Sequence, residues 1–162
     1  MEENSTPTTL DALDRRLLDH LQGDAGETNQ ALAERMNISP ATCLRRVRRL
    51  EEQGFIERRV ALLGAKASGP ALTALVEVSL DRQGAEHLDA FETHALSEAA
   101  VQQCYRVSPG PDFMLVVQVA DMPAYQALVQ RLFTQDANVR NVKTFFSLKR
   151  ARFSTRSLLG PG

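Results

Sequence analysis

Between Thr28 and Ile56 the chain carries a short amphipathic stretch, a tight break, and a second stretch studded with arginine that runs into Gly54. That order constrains the fold to a pair of helices crossing at a turn. Ser39 followed by Pro40 is a strong start signal, because a serine hydroxyl caps free N–H groups and proline is tolerated in the first turn. The second helix of the pair therefore begins near Pro40. Counting on at about 100° per residue, we read Leu44, Val47 and Leu50, with Cys43 beside them, as the core-facing stripe. Ala41, Thr42, Arg45 and Arg49 then face outward, with Arg46 and Arg48 on the flanks.

A helix that buries one side and shows arginines on the other suits a DNA groove. Thr42 and Arg45 would meet base edges while the flanking arginines meet phosphates. The plainer reading is a solvated helix face. The distribution of sign argues for the first: residues 35–50 hold five arginines and no acid, whereas residues 1–34 hold eight acids and two arginines. The candidate DNA-contacting residues are Ser39, Ala41, Thr42, Arg45, Arg46, Arg48 and Arg49, with Arg58 beyond the helix.

Upstream, Leu10, Leu13, Leu17, Leu18 and Leu21 repeat at helical spacing from a cap expected at Thr9, and Gly23 breaks the pattern. The next helix begins at a Thr28 cap, turns Leu32, Ala33 and Met36 inward, and ends at Asn37, a residue that tolerates the left-handed conformation. Three helices and a turn make a helix-turn-helix unit. Gly54 stops the last helix, and Phe55 to Val60 reads as a strand that forms a small wing or leads into a linker. Gly64, Ser68, Gly69 and Pro70 mark a boundary. The expected division is a DNA-binding domain at 1–60, a linker at 61–70, a second domain at 71–153 and a flexible tail at 154–162.

A chain of 162 residues with 43% apolar residues suits one large domain or two small ones. Its net charge of −1 means that any DNA affinity must come from a local patch and from multivalency. With no apolar run near 18 residues and no charged-then-apolar leader, neither a membrane span nor a secretory signal is expected, and the cytoplasm is the default location. Cys43 and Cys104 fall in different domains without metal-ligand spacing. They read as buried thiols, and neither a metal nor a cofactor is expected.

In the second domain Leu72–Leu80 reads as a strand, Ala85–Leu96 as a helix with Leu88, Phe91 and Leu96 inward, and Val101–Val107 as a strand. The order then repeats: Phe113–Ala120 as a strand, Pro123–Phe133 as a helix burying Tyr125, Leu128, Val129 and Leu132, and Val139–Leu148 as the last strand. The fold class is therefore α+β, a winged helix-turn-helix followed by a ferredoxin-like βαββαβ sandwich. Apolar residues on both sides of Phe113-Met114-Leu115-Val116-Val117 imply that the helix-free sheet face is also covered. Either a second copy pairing sheet to sheet or loops of the same chain would cover it.

These residues resemble the leucine-responsive regulator and AsnC (feast/famine) family of transcription factors over roughly residues 9–153. The likeness is carried by Leu10–Leu18, by Leu32–Ser39, by Arg45–Ile56, and by Asp121-Met122 with Tyr125. The resemblance implies a DNA-binding head joined to a ferredoxin-like domain that dimerises through its sheets, with dimers assembling into rings, commonly octamers. It also implies an amino-acid effector bound between dimers, around the loop linking the second and third strands of that domain.

Here that loop is Ser108-Pro109-Gly110-Pro111-Asp112-Phe113, and it departs from the family pattern. Pro109 takes the usual glycine's place and Gly110 follows one later. Two prolines remove two N–H donors that would otherwise hold a carboxylate. A free amino acid needs donors for its carboxylate, an acceptor for its ammonium and a side-chain pocket. Asp112 suits the ammonium, or else caps the start of a strand. Ser108 and Thr144 offer hydroxyls, and Met122 and Phe145 offer an apolar lining that would favour Leu, Met or an aromatic ligand.

Residues 137–162 hold six basic residues and no acid, which reads as a subunit contact, extra DNA wrapping or a solvated terminus. His20, His87 and His94 sit on predicted helices away from any nucleophile motif, and no glycine-rich phosphate loop follows a strand, so an enzyme is not expected. Three functions compete. The reading adopted is a sequence-specific regulator whose assembly or DNA binding responds to an amino acid. The others are an architectural protein that bends many DNA sequences and ignores amino acids, and an amino-acid-sensing partner or enzyme whose helical head docks protein.

Overall fold

The computed structural model describes residues 9–160, so the expectations for residues 1–8 and for Pro161 and Gly162 lie outside it. The chain forms two compact units, one bounded by Met1–Leu62 with Arg152–Gly162, the other by Leu63–Ala151.

The first unit contains α1 (Ala12–Leu21), α2 (Asn29–Met36) and α3 (Pro40–Glu52). Its core joins Leu17, Leu18 and Leu21 to Leu32, Ala33 and Met36 and to Cys43, Val47 and Leu50, with Leu10, Leu13, Ile38 and Ile56 packed against it. Thr28 caps α2, Asn37 ends it at φ 60°, and Ser39 caps α3 with Pro40 in the first turn. Three expectations are corrected. The cap of α1 is Asp11 rather than Thr9: its carboxylate accepts from the Asp14 N–H at 2.7 Å, and the Asp14 carboxylate accepts from the Asp11 N–H at 3.2 Å, a reciprocal capping box. Leu44 is 40% exposed instead of core-facing, because it lies about 100° round the helix from Cys43. Residues 55–60 form no strand; the segment runs irregularly with no strand to pair with, and only Ile56 packs on the core.

The tail also differs from expectation. Arg156 places Nη2 2.5 Å from Asp19 Oδ1, and Ser157 exchanges two hydrogen bonds with the Gln22 side chain, so the end of the chain is held along α1.

The second unit opens with a short α4 (Ala65–Ser68), followed by β1 (Leu72–Leu80), α5 (Ala85–Ser97), β2 (Val101–Arg106), β3 (Phe113–Val119), α6 (Met122–Val129) continued by a π-helical turn (Gln130–Thr134), and β4 (Val139–Phe146). The antiparallel sheet has the order β2-β3-β1-β4. That order is the ferredoxin-like βαββαβ sandwich.

Alternation sends Ala74, Val76, Val78, Leu80, Phe113, Leu115 and Val117 to the helix side, where they meet Phe91, Ala95, Tyr125, Leu128, Leu132 and Phe133. Leu96, expected inward, is 63% exposed; Ala95, four residues after Phe91, takes the buried place. Val129 is only partly buried, and Phe133 joins the core instead. The other sheet face carries an apolar row in which Val116 and Phe145 both pair with Leu75, flanked by Tyr105 opposite Met114. Leu75, Phe145 and Tyr105 are all substantially exposed in the single chain.

Candidate nucleic-acid interface and effector region

The start of α3 is fixed by three polar contacts. Ser39 Oγ accepts from the Thr42 N–H at 3.2 Å and donates to Thr42 Oγ1 at 2.9 Å, and Asn29 Nδ2 donates to the Pro40 carbonyl at 2.9 Å. The backbone N–H of Ile38 donates to the Ala33 carbonyl, closing the turn between α2 and α3. These bonds set where the N-terminal end of α3 lies relative to α2.

The arginines of α3 divide into two pairs. Arg46 Nη1 donates to Asp11 Oδ2 at 2.6 Å and to Asp14 Oδ1 at 2.8 Å, and Arg49 Nη2 donates to Asp14 Oδ2 at 2.5 Å. Asp14 is 1% exposed. The Nε atoms of both arginines are buried without a hydrogen-bond partner among the described residues. Hydrogen bonding from the Asp14 N–H, and then from Arg46, holds the Asp11 carboxyl below its usual range, while Asp11 and Asp14 push Arg46 up.

Arg46 and Arg49, expected at the DNA, therefore point toward α1. Arg46 lies about 60° from the buried Cys43 on the helix wheel, and the acids that capture it come from another helix. Sequence reasoning missed Asp11 and Asp14 as the residues that orient α3. The signal was the Asp-x-x-Asp spacing at a helix start, facing an arginine helix with no acid of its own in its first three turns.

Arg45 and Arg48 remain, exposed and without an ion pair among the described residues, together with exposed Ala41 and Leu44. Thr42 is half-buried. Arg58 is exposed, with its Nε 3.9 Å from a Glu57 carboxylate oxygen, and Arg59 is paired with Glu51 at 2.7 Å.

The effector candidates do not converge within one copy. Asp112 accepts from the Leu80 N–H at 2.7 Å through Oδ2, at the end of β1 rather than at the start of a strand, while its own N–H donates to the Val78 carbonyl. Phe113 is wholly buried, with its ring centroid 4.8 Å from that of Phe91, and so lines no pocket. Thr144 and Phe145 are neighbours on β4 and project to opposite faces. The Thr144 hydroxyl lies 2.5 Å from the buried Tyr125 hydroxyl, and Phe145 sits under Lys143 on the helix-free face. Met122 follows β3 while the Ser108–Asp112 loop precedes it, placing them about 20 Å apart along the strand. Ser108, Pro109, Gly110 and Pro111 form the exposed loop itself, with a cis Ser108–Pro109 bond and Gly110 at φ 123°, a conformation that favours glycine.

Two family models match this arrangement: a winged helix-turn-helix DNA-binding domain over residues 10–57, and the Lrp/AsnC ligand binding domain over residues 73–156. The chain belongs to the Lrp/AsnC family. It is a DNA-binding transcription regulator with a ligand-binding domain, the first property residing in the helical unit and the second in the sheet unit.

Lrp/AsnC relatives align over nearly all of it. An uncharacterized HTH-type transcriptional regulator of Haemophilus influenzae is 40% identical, covering 85% of this chain and 82% of that protein. The leucine-responsive regulatory protein of Escherichia coli is 34% identical over 93% of this chain and 92% of its own length. A transcriptional regulator of Neisseria meningitidis, solved in complex with L-methionine, superposes with a TM-score of 0.83 at 29% identity, covering 91% of this chain and 95% of that one.

Proposed function

We propose that the protein binds operator DNA by laying α3 in the major groove, with Ala41, Thr42 and Arg45 over base edges and Ser39, Arg48 and Arg58 toward phosphates. The observation that carries this reading is the division of the arginines: Arg46 and Arg49 are paired with Asp14, while Arg45 and Arg48 stand on the exposed side of the same helix without an ion pair among the described residues. An exposed cation without an ion pair among the described residues is available for a phosphate or a guanine edge.

The effector in this reading is an apolar amino acid such as leucine or methionine. A leucine-responsive relative and a methionine-bound structural neighbour support that class. The loop at Ser108–Asp112 and the Met122 end of the sheet come together only if two copies meet, so the pocket is completed by self-association, as dimers and then a ring such as an octamer. The exposed row around Leu75 and Phe145 suits the dimer contact. The protein works in the cytoplasm, with double-stranded DNA, itself and the amino acid as partners, and has no catalytic role. One feature favours an architectural protein without an effector: Pro109 and Pro111 offer no N–H donors to a carboxylate.

A thermal-shift screen against the twenty amino acids, followed by DNA titrations with and without any hit, separates the two readings. A ligand at about 100 times its dissociation constant adds about 2.7 kcal/mol. A shift with leucine or methionine that also changes DNA affinity is the expected result. No shift, with DNA binding of many sequences alike, overturns the effector reading in favour of the architectural one.

A further inference from the structure

Leu44 is the large apolar residue of α3 that lies outside the core. It is 40% exposed, while Cys43, Val47 and Leu50 expose 5% or less. It stands one turn from exposed Ala41 and one turn from exposed Arg48, beside Arg45. These four residues at spacing i, i+3, i+4 and i+7 form one continuous outward stripe. A lone surface leucine is ordinary on most helices. This one occupies the fifth position of the second helix of the pair, and residues near the N-terminus of that helix are the ones that reach base edges.

The thymine C5-methyl is the apolar group on the major-groove edges of the bases, and a leucine flanked by two guanidiniums has no hydrogen bond to offer there. We infer that Leu44 is a specificity-determining residue that reads a thymine methyl, with Arg45 and Arg48 holding the helix against the neighbouring guanine edge or phosphate. This inference rests on the proposed seating of α3 in the groove. It assigns to Leu44 a role in recognition rather than in folding.

The test starts with selection of preferred duplexes from a random pool by the full chain. Each thymine of the selected sequence is then replaced by deoxyuridine, which removes only the methyl group, and binding is measured for the wild type and for Leu44→Ala. At one or more positions the wild type loses roughly three- to fivefold in affinity, the scale of one buried methyl, and Leu44→Ala shows no loss there. Leu44→Met, which keeps an apolar side chain of similar reach, retains part of the uracil sensitivity. Both variants unfold at the wild-type midpoint.

Equal uracil sensitivity in wild type and Leu44→Ala, or no sensitive thymine at all, overturns the inference. If Arg45→Ala still weakens binding in that case, the groove reading survives without it. If selection yields no preferred sequence and Arg45→Ala has no effect, the groove reading and the role of Leu44 fall together.

Discussion

Arg49 reaches back across the helical unit to put its Nη2 2.5 Å from Oδ2 of Asp14, thirty-five residues earlier in the chain. The other oxygen of that buried carboxylate is taken by Arg46. One acid on α1 thus fixes the rotation of α3 about its own axis. That rotation decides which residues α3 shows to a groove.

Replacing Asp14 with alanine leaves two guanidiniums facing a partly buried site with only Asp11 as compensation. Breaking a buried pair of this kind costs about 3–5 kcal/mol. Because both arginines keep some access to water, a loss of about 3 kcal/mol is expected. Urea unfolding of the variant measures it, and an unchanged midpoint would show that the clamp contributes nothing to folding.

The two kinds of arginine separate by experiment. Arg45→Ala is expected to leave the unfolding midpoint in place and to weaken specific DNA binding by about 1–3 kcal/mol. Arg46→Ala is expected to lower the midpoint. Parallel titrations and melts of the two proteins distinguish reader from clamp; identical behaviour would erase the distinction.

Acid sensitivity follows from three carboxyls held below their ordinary values: Asp11 by the Asp14 N–H and Arg46, Glu27 by Arg35 and then His20, and Glu98 by Arg131. A folded-state value below the unfolded one contributes stability above the unfolded value, 3.8 for Asp and 4.5 for Glu. That contribution is lost as pH falls through the lower folded value. The urea midpoint should therefore drop between about pH 5 and pH 3, while these three groups add no pH dependence between about pH 6 and pH 8. Circular dichroism across that range, repeated on Glu98→Gln and Asp11→Asn, checks the assignment.

Phe113, a candidate effector-loop residue, and Phe145, a candidate lining residue, should part company. Phe113→Ala empties a wholly buried site against Phe91 and should cost about 3–5 kcal/mol. Phe145→Ala should change the stability of the single chain by about 0.5 kcal/mol or less and reduce self-association in sedimentation velocity. A variant that stays fully associated would remove Phe145 from the subunit contact.

Much of the architecture was legible because it is written in local periods. The alternation in 72–80 and 113–119, the caps at Thr28 and Ser39 and the αL residue Asn37 each act over a few neighbouring positions. What was not legible depended on partners far away in sequence. Arg49 looks outward and Arg46 lies on a flank of the wheel until Asp14 is brought beside them, and the stretch at 55–60, with its apolar start, reads as a strand although no strand forms there.

Thr144 and Phe145 are a different case. Adjacent strand positions cannot share a face, so their separation was available from alternation alone. The effector candidates as a set do not come together within one copy of the chain, and no local period in the sequence could have shown that.

The grip of Arg156 on Asp19 and of Ser157 on Gln22 makes the helical unit discontinuous in sequence. Residues 9–62 precede the sheet unit in sequence and can pack their core before it is made. The contacts along α1 wait for Arg156 and Ser157, which follow the whole sheet unit in sequence. A fragment cut at the linker would carry the recognition helix and lack that final strap, so the properties of an isolated head are those of a nascent chain rather than of the finished regulator.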